Sequence, residues 1–136
     1  MTISSKNTDL GPVRLLLIDD EKDFVNILAK RFKHRNIDVT KAFSGTEAIQ
    51  ALRENKFDVA VLDLKMEDMD GIEVLKIFKI MDPRLAVIML TGHGSAESAE
   101  QGLKLGAFDY LSKPCELEDL VQKIMQAFAQ RIQNES

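Results

Sequence analysis

The feature that most constrains the fold of this chain is a fivefold alternation between short apolar runs and longer amphipathic segments. The apolar runs occupy residues 15–18, 39–43, 59–62, 86–90 and 108–111. The first, third and fourth are almost continuously apolar, as expected for central parallel strands that are covered on both faces. The second begins in the stretch Ile37-Asp38-Val39-Thr40, whose alternation of apolar and polar residues is typical of an edge strand.

The segments between these runs have the three- and four-residue apolar spacing of amphipathic helices. Ser44 and Glu47 form a capping-box pattern at the start of the second helix, and the third should end before Pro83. The fourth helix, predicted over residues 95–105, is the weakest. Its apolar stripe consists mostly of Ala96, Ala99 and Leu103. The pattern fits either a loosely docked helix that can shift or a small-residue helix packed close to the sheet.

Five strands alternating with five helices predict an α/β, doubly wound (βα)5 fold in three layers. Right-handed crossovers leave few topologies, and the flavodoxin-like parallel order 2-1-3-4-5 is the commonest small solution. The chain has 136 residues, the usual size of one domain. We expect a flexible N-terminal tail at residues 1–12 and one folded domain at residues 13–133.

Charge and composition argue against several classes of protein. The net charge of −4 does not favour direct contact with nucleic acid, which needs a basic face. No apolar run approaches the roughly 20 residues that span a bilayer, and the polar N-terminus lacks the apolar stretch of a signal peptide. The single Cys115 cannot form an internal disulfide and is interpreted as a small, half-buried side chain. We therefore predict a cytoplasmic protein without direct membrane contact.

Polar residues follow four of the five predicted strands. Asp19 and Asp20 come after the first strand, Asp63 after the third, Thr91 after the fourth and Lys113 after the fifth. The carboxyl ends of parallel strands share one edge of the sheet, and ligands bind at that edge in open α/β sheets. Each residue alone has an ordinary explanation, such as a helix cap or an Asx turn. Together they predict one site.

The chemistry of this set points to a phosphoryl group beside a divalent cation. Three converging carboxylates repel one another, and Mg²⁺ relieves that repulsion while also binding phosphate oxygens. An aspartate can act as a nucleophile and form an aspartyl phosphate. A lysine ammonium and a threonine hydroxyl can each contact a phosphoryl oxygen.

Four segments of the chain resemble the receiver domains of two-component response regulators, the CheY-like family. They are residues 15–21 (LLLIDDE), 61–66 (VLDLKM) followed by 69–71 (MDG), 90–94 (LTGHG) and 106–114 (GAFDYLSKP). The resemblance covers roughly residues 13–131. It implies that Asp63 accepts a phosphoryl group in a phosphorelay, from a sensor histidine kinase or a histidine phosphotransfer protein. Such a chain is a switch with its own phosphorylation and dephosphorylation chemistry and is not classed as an enzyme.

The resemblance also implies a set of metal ligands. Asp20 and Asp63 would bind Mg²⁺, Asp19 would act directly or through water, and Lys65 would contribute its backbone carbonyl. One departure is Glu67, where many receivers have proline. The absence of proline frees the loop backbone and adds a charge near the metal.

Further residues are expected to transmit the signal. Thr91 and Lys113 would contact the phosphoryl group, and Tyr110 matches the switch aromatic of the family. The alternative interpretation is that Tyr110 is an aromatic residue of an edge strand whose hydroxyl is exposed to solvent. The surface formed by the fourth helix, the fifth strand and the fifth helix would then bind a downstream effector or a second copy of the chain.

Two residues are predicted to tune the lifetime of the phosphorylated state. Lys65 lies two residues after Asp63, and His93 lies two residues after Thr91. Neither is well suited to orient an attacking water, so we expect both to slow hydrolysis of the aspartyl phosphate. The alternative is that both side chains point to solvent and do nothing.

Other functions share part of this pattern. A phosphatase of the haloacid-dehalogenase type needs a second aspartate where Lys65 stands. An FMN module needs a glycine-rich phosphate loop where the acidic Asp19-Asp20-Glu21 would repel a phosphate. A receiver that only binds partners would have lost the site residues, which are present. Residues 91–95 also resemble receivers attached to AAA+ transcriptional activators, so the chain could be the N-terminal receiver of a larger regulator or hybrid kinase.

Overall fold

The computed structural model describes residues 11–92 and 96–135, within which five strands alternate with five helices. The strands are β1 (Val13–Ile18), β2 (Ile37–Ala42), β3 (Val59–Asp63), β4 (Ala86–Thr91) and β5 (Asp109–Ser112). The helices are α1 (Lys22–Phe32), α2 (Gly45–Glu54), α3 (Gly71–Met81), α4 (Ala96–Lys104) and α5 (Leu117–Glu135), and a 3-10 turn, Lys33–Arg35, follows α1. Among these helices none is both long enough and apolar enough to span a membrane.

The five strands form one parallel sheet in the order β2-β1-β3-β4-β5, which confirms the predicted topology. The register aligns the carboxyl ends of the strands. Ile18 pairs with Leu62, so the residues that follow these two strands emerge at the same level. Asp63 pairs with Leu90, which brings the next residue of β4, Thr91, to the same edge.

The core lies in two layers, one on each face of the sheet. Successive residues of β1 point to opposite faces, because side chains alternate along a strand. Leu16 packs with apolar residues of α2 and α3, whereas Leu15 packs with apolar residues of α1 and α5. Every residue of β3 is buried. The three-layer arrangement is therefore the predicted one.

Strand ends differ slightly from the apolar runs. The second strand begins at Ile37, two residues before the predicted run, because Ile37 pairs with Val13 after Asn36 turns the chain with φ of 60°. The fifth strand is shifted by one residue, to Asp109–Ser112. Apolar runs mark buried positions, and backbone pairing decides where a strand begins and ends.

The fourth helix corrects one prediction. α4 buries Ala99 and Gly102, whereas Ala96 is exposed and Leu103 is 37% exposed, so the predicted stripe is wrong at both of the latter positions. A Cβ atom at Gly102 would lie 2.1 Å from the Met89 sulfur, which means that glycine permits close approach to β4. The structure thus favours a small-residue helix packed against the sheet. Ser95 lies outside the described residues.

Side chains define the starts of two helices, as the sequence predicts for α2. The Ser44 hydroxyl accepts a hydrogen bond from the Glu47 N–H (3.1 Å), and the Glu47 carboxylate accepts one from the Phe43 N–H (2.9 Å). The reciprocal bond of this capping box therefore lies one residue earlier than in the standard motif. At α3, the Asp70 side chain accepts from the Ile72 N–H (2.9 Å).

Residues 1–10 are outside the described part of the chain, so the predicted N-terminal tail and domain bounds stay predictions.

Candidate functional site

Three carboxylates meet at the carboxyl edge of the sheet, as predicted. One oxygen each from Asp19, Asp20 and Asp63 lie within 4.8 Å of one another. Asp19 is fully buried and Asp63 is 5% exposed, whereas Asp20 is half-buried. The group is therefore a largely desolvated acidic cluster that opens to solvent on one side.

Backbone N–H groups hold each carboxylate in place. Asp19 accepts from the Glu21 N–H (3.0 Å), and Asp63 accepts from the Lys65 N–H (3.2 Å). Asp20 accepts from the Glu67 N–H (3.1 Å), a residue 47 positions away in the sequence. The first two bonds follow from local turns at strand ends, and the third ties two separate loops together.

Lys113 lies beside the cluster but points mainly to one side of it. Its ammonium is 2.7 Å from a Glu21 carboxylate oxygen and 2.9 Å from Asp19 Oδ2, but 3.9 Å from Asp63 Oδ2. It also stands 4.5 Å above the Phe24 ring, a favourable cation–π distance. Burial disfavours the ammonium, yet the hydrogen bonds to Glu21 and Asp19 prevail and raise the pKa of Lys113. The lysine is therefore charged and held close to Asp63.

The negative charge of Asp63 is only partly compensated by its neighbours. Burial, and then the neighbouring Asp19 charge, raise the pKa of Asp63 to about 7, although Lys113 and the Lys65 N–H act in the opposite direction. A carboxyl with this pKa near the mouth of a site is a candidate for function, because uncompensated burial has a cost in stability.

The donor set fits a hard divalent cation. Oxygen ligands that carry several negative charges suit Mg²⁺, and a cation among them would relieve the repulsion that raises the Asp63 pKa. Lys65 lies beside the cluster through its backbone, while its side chain is exposed. The contribution of its carbonyl to a metal stays a prediction.

The proposed switch residues lie on β4 and β5. Thr91 is buried, and its hydroxyl donates to the Leu111 carbonyl at 3.4 Å, so it is bonded to β5 and not to the acidic cluster. Tyr110 is 41% exposed at the edge of the sheet. That exposure is compatible both with a switch role for Tyr110 and with an ordinary aromatic residue on an edge strand. His93, the other residue predicted at the mouth, lies outside the described residues.

Two residues of the site were missed by the sequence reasoning. Glu21 lies in the acidic run Asp19-Asp20-Glu21 with no pattern that marks it for a site, yet it accepts the shortest hydrogen bond of Lys113. Asp68 lies in a second acidic run, residues 67–70, which on its own would be interpreted as a solvated loop. Its carboxylate instead accepts hydrogen bonds from N–H groups at the start of α2. Both contacts join residues distant in sequence, and no local pattern announces them.

Comparison with known proteins places this geometry in a family. A family model described as "Response regulator receiver domain" matches residues 15–125. The transcriptional regulatory protein ZraR of Salmonella typhimurium is 34% identical over 119 residues, which cover 88% of this chain and 27% of ZraR. The transcriptional regulatory protein GlrR of Escherichia coli is also 34% identical, with the same coverage. The chain thus spans about a quarter of the length of these curated relatives.

Solved structures agree. A response regulator receiver domain protein from Clostridium thermocellum superposes with a TM-score of 0.84 and 35% identity, covering 88% of this chain and 96% of that one. A CheY-like receiver domain protein from Methanospirillum hungatei gives a TM-score of 0.87 at 27% identity, covering 90% and 98%. NtrX from Brucella abortus in complex with ADP gives 0.86 at 25% identity, covering 91% of this chain and 29% of NtrX. On this evidence the chain belongs to the family of response regulator receiver domains.

Proposed function

We propose that this receiver is a phosphorylation switch in which Asp63 accepts a phosphoryl group in the presence of Mg²⁺. The observation that carries the proposal is the buried, partly uncompensated Asp63 carboxylate, which has two further carboxylates and a lysine ammonium around it. The donor would be a phosphorylated histidine of a sensor histidine kinase or a histidine phosphotransfer protein. Asp19, Asp20, Asp63 and the Lys65 carbonyl would hold the cation.

The transfer follows from the groups present. An Asp63 oxygen attacks phosphorus and forms the new O–P bond, while the P–N bond of the phosphohistidine breaks and its electron pair stays on the imidazole nitrogen. When bound, Mg²⁺ would neutralise charge on the phosphoryl oxygens. The Lys113 ammonium is close enough to turn toward a phosphoryl oxygen on Asp63. Asp63 must be deprotonated to attack, which its raised pKa opposes until the surrounding charge is balanced.

Chemical phosphorylation tests this assignment. The protein is incubated with acetyl phosphate and Mg²⁺, and we expect mass spectrometry to show one added phosphoryl group that is stable to acid and labile to base. Asp63→Asn should abolish it, whereas Asp38→Asn, at an exposed carboxylate of β2, should not. Labelling of Asp63→Asn at the wild-type rate would refute the assignment.

The output would come from the surface of α4, β5 and α5. A phosphoryl oxygen on Asp63 would compete with the Leu111 carbonyl for the Thr91 hydroxyl, and Tyr110 would move into the space that Thr91 vacates. Such a population shift requires contacts that differ between the two states. Amide exchange with and without beryllofluoride should differ most over residues 91–113. A change confined to α1 would contradict this output surface.

A second candidate concerns the wider protein. The matched relatives include transcriptional regulatory proteins about four times as long as the match, so this receiver could control an output domain of that kind. In either setting we propose a switch, not a turnover enzyme, with a partner protein or a second copy as its target. No nucleic-acid contact by the receiver itself and a cytoplasmic location stay predictions. The phosphatase alternative is not favoured, because the exposed Lys65 supplies no second carboxyl.

A further inference from the structure

The loop between β3 and α3 is anchored to the start of α2 by one carboxylate. Asp68 Oδ1 accepts from the Gly45 N–H (2.9 Å), and Oδ2 accepts from the Thr46 N–H and hydroxyl (both 3.1 Å). These N–H groups lie in the first turn of α2, where backbone N–H groups have no carbonyl acceptor inside the helix. The Gly45 bond contributes most to lowering the pKa of Asp68, so the anchor is charged at neutral pH.

The loop also packs tightly where Asp68 holds it. A Cβ atom at Gly45 would lie 2.9 Å from the Met69 sulfur and 2.9 Å from a Val74 methyl carbon. An isolated antiparallel bridge joins Lys65 to Asp70 and closes the loop on itself. The start of α2 and the loop are therefore in direct contact, with little room for either to move alone.

The residue before the anchor reaches the acidic cluster. The Glu67 N–H donates to Asp20 Oδ2 at 3.1 Å. Proline, which many receivers carry at this position, has no N–H and could not form this bond. A continuous series of contacts thus runs from the first turn of α2, through Asp68 and Glu67, to a carboxylate of the site.

We propose that Asp68 is a positioning residue, which fixes the loop on α2 so that the Glu67 N–H orients the Asp20 carboxylate for a divalent cation. The role of Asp20 as a metal ligand rests on the proposed function. The anchor itself rests on the contacts above. Partners that orient a metal ligand in this way commonly contribute ten- to a hundredfold to metal affinity, and we expect about tenfold here.

Mg²⁺ titration followed by NMR of the full chain tests the proposal. Asp68→Ala should weaken Mg²⁺ binding about tenfold, Asp68→Asn should lie between it and the wild type, and Asp20→Ala gives the scale for loss of a ligand. As a control, Glu54→Gln removes a carboxylate at the other end of α2, the helix to which Asp68 is bonded, and should leave Mg²⁺ affinity unchanged. In phosphorylation by acetyl phosphate, Asp68→Ala should need about tenfold more Mg²⁺ for half-maximal rate but reach the wild-type rate at saturation.

A metal-free measurement separates this proposal from the proposed function. Without Mg²⁺, the Glu67 amide should exchange with solvent faster in Asp68→Ala than in the wild type, because its bond to Asp20 is no longer held. Unchanged Glu67 exchange together with unchanged Mg²⁺ affinity would overturn the role of Asp68. If Asp68→Ala fails to fold, Asp68→Asn supports or overturns the proposal by the same two readouts. A wild type that binds no Mg²⁺ and accepts no phosphoryl group would overturn the proposed function, and with it the metal-orienting role.

Discussion

Two buried aspartates stand at opposite ends of β3, and the protein compensates them very differently. Asp58, just before the strand, is 4% exposed and accepts hydrogen bonds from the backbone N–H, Nε and Nη2 of Arg14 and from Nη1 of Arg131. Asp63, at the end of the strand, is 5% exposed, accepts a hydrogen bond from the Lys65 N–H and lies 3.9 Å from the Lys113 ammonium. Similar burial is thus combined with unequal compensation.

Under the proposed function, the difference separates the structural charge of Asp58 from the functional charge of Asp63. At the amino end, two guanidinium groups satisfy Asp58 and tie β1 and α5 to the strand. At the carboxyl end, burial and then the neighbouring Asp19 charge raise the pKa of Asp63 to about 7, and Lys113, which bonds to Asp19 and Glu21, offsets this only in part. Under the proposed function, a site that is to receive a cation and a phosphoryl group cannot also neutralise itself, so we expect it to lower stability until it is occupied.

The largest effect should come from breaking the compensated end. Asp58→Ala removes a buried carboxylate that accepts four hydrogen bonds from Arg14 and Arg131, and we expect a loss of about 3 kcal/mol in the free energy of unfolding. Urea denaturation measures it. Asp109→Ala removes the partner of Lys123 from a half-exposed pair and should cost no more than about 1 kcal/mol. Equal losses in the two variants would contradict the proposed contrast.

At the other end of β3, removing the negative charge is expected to raise the free energy of unfolding, not to lower it. Asp63 binds its proton more tightly in the folded than in the unfolded state, so stability falls as pH rises from about 4 to about 7. Without divalent cations at pH 8, Asp63→Asn should therefore raise the free energy of unfolding by about 1–2 kcal/mol, after allowance for partial solvent screening. The gain should vanish at pH 4, where the wild-type carboxyl is protonated. A less stable Asp63→Asn at pH 8 would show that the charge is already balanced.

A prediction of similar energy concerns the rate of phosphate loss at the proposed Asp63 site. If Lys65 and His93 slow water attack on the aspartyl phosphate, then Lys65→Asn combined with His93→Glu should speed phosphate loss about tenfold, or ~1.4 kcal/mol of barrier. Phosphate release from the phosphorylated protein is measured at fixed Mg²⁺ and pH. Equal or slower release in the double variant would leave both positions without a role in hydrolysis.

Periodicity explains why the carboxyl end could be predicted and the amino end could not. Asp63 directly follows an apolar run and Lys113 lies two residues after another, and a parallel sheet brings such positions together whatever their separation in sequence. Asp58 lies 44 residues from Arg14 and 73 from Arg131, and no motif joins them. Gly102 was missed for a related reason, since its close approach to Met89 depends on helix placement and not on apolar spacing.

The loop after β3 shows the same limit. Its acidic residues resemble any solvated run, and only the fold brings Asp68 to the first turn of α2 and the Glu67 N–H to Asp20. The types of residue at the site were therefore predictable. Their orientation depends on contacts between loops, which a single sequence does not display.

A pH titration of the Asp63 carboxyl carbon by NMR tests the central claim most directly, because it measures how far the carboxylate is left uncompensated. Without divalent cations, we predict a midpoint of about 7. With saturating Mg²⁺, the midpoint should fall to or below the ordinary aspartate value of about 4. A midpoint near 4 in the absence of divalent cations, unchanged by Mg²⁺, would contradict the account.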